Sequence, residues 1–268
     1  PPAVREAARA ALLEGLAGMA DAQGAHVLVV KSLGPEATEW RAALAGQGYG
    51  EIRNVPVVML PLPYASLEHY LASLPEKTGS YFRRKLRPAS KLRIEYRSSI
   101  EGLEGRINQL HDATLAQSSV DYGNFDKLDP GFFPRVLAGL GERARMMLCW
   151  KGDQLLSFQL FIVGDKRVIA SRIGMQYPEA REYNLYFINW LKMIEFAIER
   201  GIPEIEMGST TFASKLLFGG HLEPRYVHLR LRNSIANWLT RPLHGLFDFE
   251  RNDPELQRLR AAKEPARR

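Results

Sequence analysis

The stretch from Arg145 to Ile173, RMMLCWKGDQLLSFQLFIVGDKRVIASRI, decides the fold. Three apolar runs, at 145–150, 155–163 and 167–173, are separated by Lys151-Gly152-Asp153 and by Gly164-Asp165. Glycine beside aspartate between apolar runs is hairpin chemistry, so the stretch predicts three consecutive antiparallel strands. Downstream, helical spacing predicts a helix over 185–200 that stops at Gly201, then a strand over 204–207. A short helix over 212–218, Gly219-Gly220 and a strand over 226–231 complete this side. Upstream lie a strand over 92–96, a helix over 102–116, a polar loop over 118–124 and a helix over 130–140. From residue 92 the order is β-α-α-β-β-β-α-β-α-β, a mixed sheet with helices of the α+β class.

The start of the chain repeats part of this order. Apolar residues at helical spacing predict a helix over 4–23 stopped by Gly24, then a strand over 26–30, a helix over 36–45, and a strand over 55–60 whose Pro56 suits its first pairing or an edge. Helix, strand, helix, strand returns over 185–231, which suggests an internal structural repeat. A helix over 65–74 and a basic segment join the copies, with Pro88 breaking or starting a helix there. The chain opens on Pro1-Pro2 and a helix with no strand before it, and is expected to be a fragment or a processed form. Beyond Trp238 the sequence predicts a helix to about Phe249 that covers an otherwise exposed surface. A second helix starts at Asp253-Pro254, where aspartate suits the N-cap and proline the first position, and the last few residues are expected to be disordered.

Composition excludes more than it selects. With 268 residues and 46% hydrophobic residues the chain can hold one large or two modest domains with a real core. No run approaches the roughly 20 apolar residues of a membrane span and no secretory pattern opens the chain, so a cytoplasmic protein is expected. The single cysteine, Cys149, allows neither a disulfide framework nor a thiolate metal site and is expected in the core. His111, His221, His228 and His244 lack ligand spacing, which predicts no metal. The net charge of +6 is matched by a local excess, seven Lys/Arg against Glu95 over 83–97. Such a patch is either a solvated helix face or a site for phosphate on a nucleotide, nucleic acid or lipid. No nucleophile elbow, Walker loop, dinucleotide fingerprint or kinase signature is present.

Several stretches resemble the FemAB-like branch of the GNAT acyltransferases, the branch that includes peptidoglycan biosynthesis or recognition proteins. These are 66–74 (SLEHYLASL) with the basic 81–87 (YFRRKLR), then Tyr183-Asn184-Leu185-Tyr186 leading through 195–198 to Arg200-Gly201, and Ile205-Glu206-Met207-Gly208 with Lys215 and Phe218-Gly219 downstream. Their order spans most of 54–232. The resemblance implies a complete GNAT-like domain over 63–235, the C-terminal half of a preceding GNAT-like unit over 1–62, and a helical extension over 236–268. It also implies transfer of an acyl group to a small-molecule or peptide amine. The donor is acyl-coenzyme A or, in Fem-type enzymes, aminoacyl-tRNA, with tRNA held through the basic patch; a non-catalytic binding module on the same fold is the third reading. The family's phosphate loop, Arg/Gln-x-x-Gly-x-Gly/Ala, is replaced here by QYPEAREYN over 176–184, which lacks the glycines that let backbone N–H groups approach a pyrophosphate.

The same resemblance points to particular residues. Gln176, Arg181, Asn184, Ser209 and Gly219 are expected near the donor, with Asn184 capping the long helix. Tyr183 and Tyr186 flank that helix start, where a phenol can protonate a leaving thiolate or a ribose hydroxyl, or simply pack. Backbone amides around Ile173 to Met175 are expected as oxyanion donors. Glu206 alternates with Ile205 and Met207, so it points into a cleft as a general base or into solvent. Lys215, after Ser209-Thr210-Thr211 and before Gly219-Gly220, is the main catalytic expectation; its bland alternative is a solvated lysine. Asp121, Tyr122 and Asn124 in the polar loop, with Arg83, Arg84 and Arg87, are expected to bind substrate.

Overall fold

The computed structural model describes residues 2–117, 128–240 and 246–263. It divides into two compact units, one of Pro1–Val58, Ser209–Leu216 and His221–Arg268, the other of Met59–Gly208 and Leu217–Gly220.

In the first unit helix α1 (Pro2–Ala22) is followed by β1 (Val27–Leu33), α2 (Thr38–Gly46) and β2 (Gly50–Pro61). The returning chain adds β8 (His221–Leu231) between β1 and β2, antiparallel to β1. Leu13, Ala20, Leu28, Leu44 and Tyr49 form the core here. On this unit's sheet His228, buried, meets the Glu51 carboxylate at 3.1 Å, and Arg41 grips the same carboxylate with two contacts of 2.8 Å. Burial pushes the His228 imidazole below its ordinary pKa, while Arg41 holds Glu51 below the usual carboxylate range.

In the second unit the meander is present as predicted: β4 (Ala144–Lys151), β5 (Gln154–Val163) and β6 (Val168–Met175) pair antiparallel, β3 (Arg93–Arg97) adds beside β4, and β7 (Glu204–Gly208) runs parallel to β6. Strand alternation loads the two faces differently. Met146, Leu148, Phe158 and Leu160 turn to helices α5 (Glu104–Leu115) and α6 (Phe132–Leu140), against Ile107, Leu110, Phe133 and Leu137. The opposite face receives α7 (Glu179–Glu182) and the long apolar α8 (Leu185–Glu199), where Phe161 meets Phe196 edge-on at 4.9 Å. Gly174 lets α5 cross β6 closely, since a Cβ there would lie 2.8 Å from the backbone at Leu110 and His111.

Before β3 come α3 (Leu67–Ser73) and α4 (Glu76–Leu86), then a 3-10 turn over Arg87–Lys91 that opens at Pro88. The charged run hid α4 from periodicity; its helical reading comes from Phe82, fully buried and stacked on Phe218 at 4.5 Å. The Tyr70 hydroxyl donates to the Phe218 carbonyl at 2.8 Å inside this cluster. Tyr70→Phe leaves that buried carbonyl without its donor and should lower the unfolding free energy by about 1 kcal/mol in urea melts.

The last segment corrects the sequence reading. Instead of one helix to Phe249 there are α10 (Ser234–Thr240) and the single turn α11 (Phe249–Asn252), and Ile235, Trp238, Leu239 and Phe247 are exposed rather than covering anything. Helix α12 (Pro254–Lys263) starts where expected, with the Leu256 N–H donating to the Asp253 carboxylate at 2.9 Å. Helix α9 (Phe212–Leu216) is shorter than the predicted 212–218 because Phe218 is drawn into the aromatic cluster.

Candidate active site

The central feature is a parting of two parallel strands. In register with β7 stand Val168, opposite Ile205, and Ile169, opposite Glu206. Immediately beyond, Ala170 faces Phe161 and Arg172 faces Leu160, so Ser171 is an extra residue with no partner on β5. A bulge bends its strand and increases local twist, and here it falls where the β6–β7 register ends. From Ala170 to Met175, β6 continues along β5 with its other edge turned to an opening wedge. The Gln176 N–H donates to Leu156 O at 2.8 Å, towards β5. Alternation therefore points the Ile173 and Met175 N–H groups away from β5. The Met175 N–H is already given to the Thr114 hydroxyl at 2.8 Å, which removes it from the expected oxyanion donors and leaves that of Ile173.

The QYPEAREYN segment is stiffened by side chains where glycines were absent. Arg106 of α5 donates to Leu155 O and to the Gln176 amide oxygen, both at 2.9 Å, and Arg181 donates to Gln117 at 3.2 Å. Asn184 stands at the start of α8 in the left-handed region, φ 55°, but its side chain does not cap the helix as expected. Its amide oxygen accepts from the Lys85 ammonium at 2.7 Å. The positive end of a 15-residue helix and a lysine ammonium are thereby brought together, an arrangement suited to an anion.

Tyr183 is buried with Cys149, Leu156, Met175, Ala180 and Leu185. The Lys151 ammonium lies 4.8 Å from its ring centre and is raised in pKa by hydrogen bonding to the phenol. Tyr186 is half-buried and edge-on to Phe187 at 5.5 Å and to Trp190 at 6.3 Å. Glu206 sits at the closed end of the wedge, 3.4 Å from Arg167, which also holds Glu204 at 2.9 Å. Its side chain is partly buried and paired. Gly219 turns the chain at φ 83°.

Lys215, in the first unit, is 4% exposed, so the solvated alternative is wrong. Burial lowers its pKa from 10.5 to about 8 against the opposing pull of Glu255, whose carboxylate also accepts the Ala213 N–H at 2.8 Å. Ser209 lies in the same unit. Asp121, Tyr122 and Asn124 fall outside the described residues. Of the basic patch, Arg83 is bound to Glu68, Arg93 and Arg97 both pair with Glu95, and Arg84 and Arg87 are exposed. Arg83 and Arg87 edge a cleft of about 650 Å³ floored by Leu71, Leu86, Leu92 and Ile94. Among the described residues no group of three His, Cys, Asp or Glu is placed to hold a metal ion. No helix among them is long and apolar enough to cross a membrane.

The sequence reading missed Lys85, Arg106, Thr114 and the bulge at Ser171. It also missed a polar seam between β5 and α8, where the Ser157 hydroxyl meets the Asn189 amide oxygen at 3.2 Å and Gln159 is buried nearby on the same strand face. Two polar residues in the otherwise apolar run LLSFQLFIV were the available signal.

A meander feeding a strand that parts from its parallel neighbour, with a helix starting beside the gap, defines the architecture of N-acyltransferases. The family model for the acetyltransferase (GNAT) domain matches residues 77–215, just over half of the chain, and the protein belongs to that family. Its structure is similar to FemX (14% identity, TM-score 0.63, 88% of this chain and 79% of that one). It is also similar to the C-terminal domain assigned to a lysylphosphatidylglycerol synthetase from Agrobacterium fabrum (16%, 0.61, 85% and 75%) and to L-PGS from Bacillus licheniformis (11%, 0.57, 87% and 77%). No curated protein matches the chain by sequence. The protein is an acyltransferase of the GNAT class.

Proposed function

We propose that the chain transfers an acyl group from acyl-coenzyme A to an amine. The observation that carries this reading is the wedge: the bulge at Ser171 frees the β6 edge over 170–174, and an extended acyl-pantetheine can add to that edge as a strand would. The Ile173 N–H then donates to the thioester oxygen as it gains charge in the tetrahedral intermediate. The pyrophosphate lies at the start of α8, where Lys85 and Asn184 supply the charge and the turn that the family's glycines supply elsewhere; Gln176 and Arg181 keep the preceding segment in place. The attacking amine adds to the carbonyl carbon, loses its proton, and the C–S bond breaks to release the thiol of coenzyme A. Tyr186 is the proposed acid for that leaving thiolate and Glu206 the base, with Tyr183 packed beneath; Lys215 is proposed as a catalytic residue on the family resemblance alone. Gly219 flanks the donor, Ser209 is assigned to it by the family resemblance alone, and Arg83, Arg84 and Arg87 meet the acceptor.

Calorimetry with coenzyme A and acetyl-coenzyme A, followed by a free-thiol assay with a panel of amines, tests the reading. Coenzyme A should bind in the micromolar range, and Lys85→Glu should weaken it at least tenfold by placing a carboxylate against the pyrophosphate. If coenzyme A does not bind while aminoacyl-tRNA donates to an amine, the donor assignment fails and the Fem-type reading replaces it. The similarity to FemX and the exposed Arg84 and Arg87 are what favour that second reading.

A further inference from the structure

The extra residue in β6 decides which side chain stands over the wedge. Along an unbroken strand, alternation turns residues three apart to opposite faces, which would separate Arg172 from Ile169. Ser171 is inserted between them, and Ile169 pairs with Ile162 while Arg172 pairs with Leu160, two positions apart on β5. Both side chains therefore lie on the face that receives α5 and α6, with Arg172 about 7 Å further along the wedge. In the parallel pairing Ile169 stands beside Glu206, so the proposed base is on this face too. The bulge re-aims a guanidinium to the side of the sheet where Glu206 stands, and the Ile173 N–H follows directly in the strand.

Arg172 is half-buried, and its Nε is enclosed without a hydrogen-bond partner among the described residues. The acids nearest in the sheet are committed elsewhere: Arg167 holds Glu204 at 2.9 Å and Glu206 at 3.4 Å. On α5, which crosses β6 at Gly174, the Asp112 carboxylate is turned outward, 3.8 Å from His111. A cation that has given up water without gaining an acid is destabilising where it stands, and an incoming anion relieves that cost. The planar guanidinium fork suits the paired oxygens of a carboxylate or a phosphate.

We propose that Arg172 recognises an anionic group on the acceptor, so that the amine taken by this protein also carries a carboxylate or a phosphate. The inference rests on the acyl-transfer reading and names the acceptor class for it; Arg83, Arg84 and Arg87 meet the acceptor elsewhere. Thiol release from acetyl-coenzyme A is measured with β-alanine, 2-aminoethyl phosphate and the neutral propylamine, and calorimetry follows binding of the same amines without donor. At least one anionic amine is expected to exceed propylamine by tenfold or more in kcat/KM, and the better of the two identifies the anion. Arg172→Met should abolish that preference through KM, and Arg172→Glu should turn it towards ethylenediamine. Retained melting temperatures establish that both variants are folded. Propylamine matching the anionic amines overturns the proposal, as does a preference that survives in folded Arg172→Met. If no amine releases thiol, the transfer reading fails by itself and calorimetry still decides: anionic amines that bind the parent and not Arg172→Met sustain the site, whereas no binding, or equal binding to both, overturns it.

Discussion

Lys215→Met should be more stable than the parent protein at pH 7 and much less active. Burial holds the Lys215 pKa near 8, against 10.5 in the unfolded chain. Between those values the unfolded state binds a proton that the folded state does not, so this group's contribution to stability rises with pH through the window. Below pH 8 both states are protonated, and the folded protein bears the full cost of a buried ammonium, about 3 kcal/mol for a shift of this size. Methionine fills the same space without the charge. Paired melts should therefore show the variant ahead by up to about 3 kcal/mol at pH 7, with the gap closing as pH climbs from 8 towards 10.5. If Lys215 is the base, the parent's rate should rise with pH and level off above about 8, and the variant should lose that limb along with roughly a hundredfold in turnover. Equal stability at pH 7 would contradict the burial argument; a stable variant with full turnover would remove Lys215 from the chemistry.

The second large effect lies at Gly174. Its missing side chain is where α5 crosses β6, and an alanine methyl would strike the Phe158 ring and the helix backbone at Leu110 and His111. A ring can turn aside. Two backbone atoms fixed in a helix cannot, so α5 must lift from the sheet. Gly174→Ala should cost about 1–3 kcal/mol in urea denaturation, the range for overpacking a tight core. Because α5 also carries Thr114 and Arg106, the lift should loosen the Met175 amide and the Gln176 segment, raising the KM for the donor. Gly174→Ser with unchanged stability would show that the crossing has more room than its geometry implies.

The order of elements was legible because this chain punctuates its sheet with turn chemistry. Lys151-Gly152-Asp153 and Gly164-Asp165 mark the meander in sequence as in space, and Gly201 ends α8 where the helical pattern stops. The site was legible only as neighbourhoods. The bulge at Ser171 has no glycine or proline to announce it, since it exists only in the pairing with β5. Lys85 looked like one of seven equivalent cations, and what distinguishes it is the fold of α4 against the start of α8. Asn184 had cap chemistry, yet its oxygen went to a distant ammonium, a tertiary contact that outweighs a local preference. Trp238 and its neighbours were read as a covering helix because apolar residues usually face inward; the amides that turn α10 over lie in Asn233 and Asn237, which local pattern reads as ordinary helix-start polarity.

Cys149 makes the second unit its own unfolding clock. The thiol is buried on the α8 face of β4, and its pKa is pushed up to about 11. At pH 7 the thiolate fraction is on the order of one in ten thousand, so alkylating reagents have almost nothing to attack in the folded protein. Only opening of the β4–β5 layer exposes it. Because no other cysteine is present, each mole of label incorporated counts one opening event, and the labelling rate at saturating reagent measures how often the centre of this sheet comes apart.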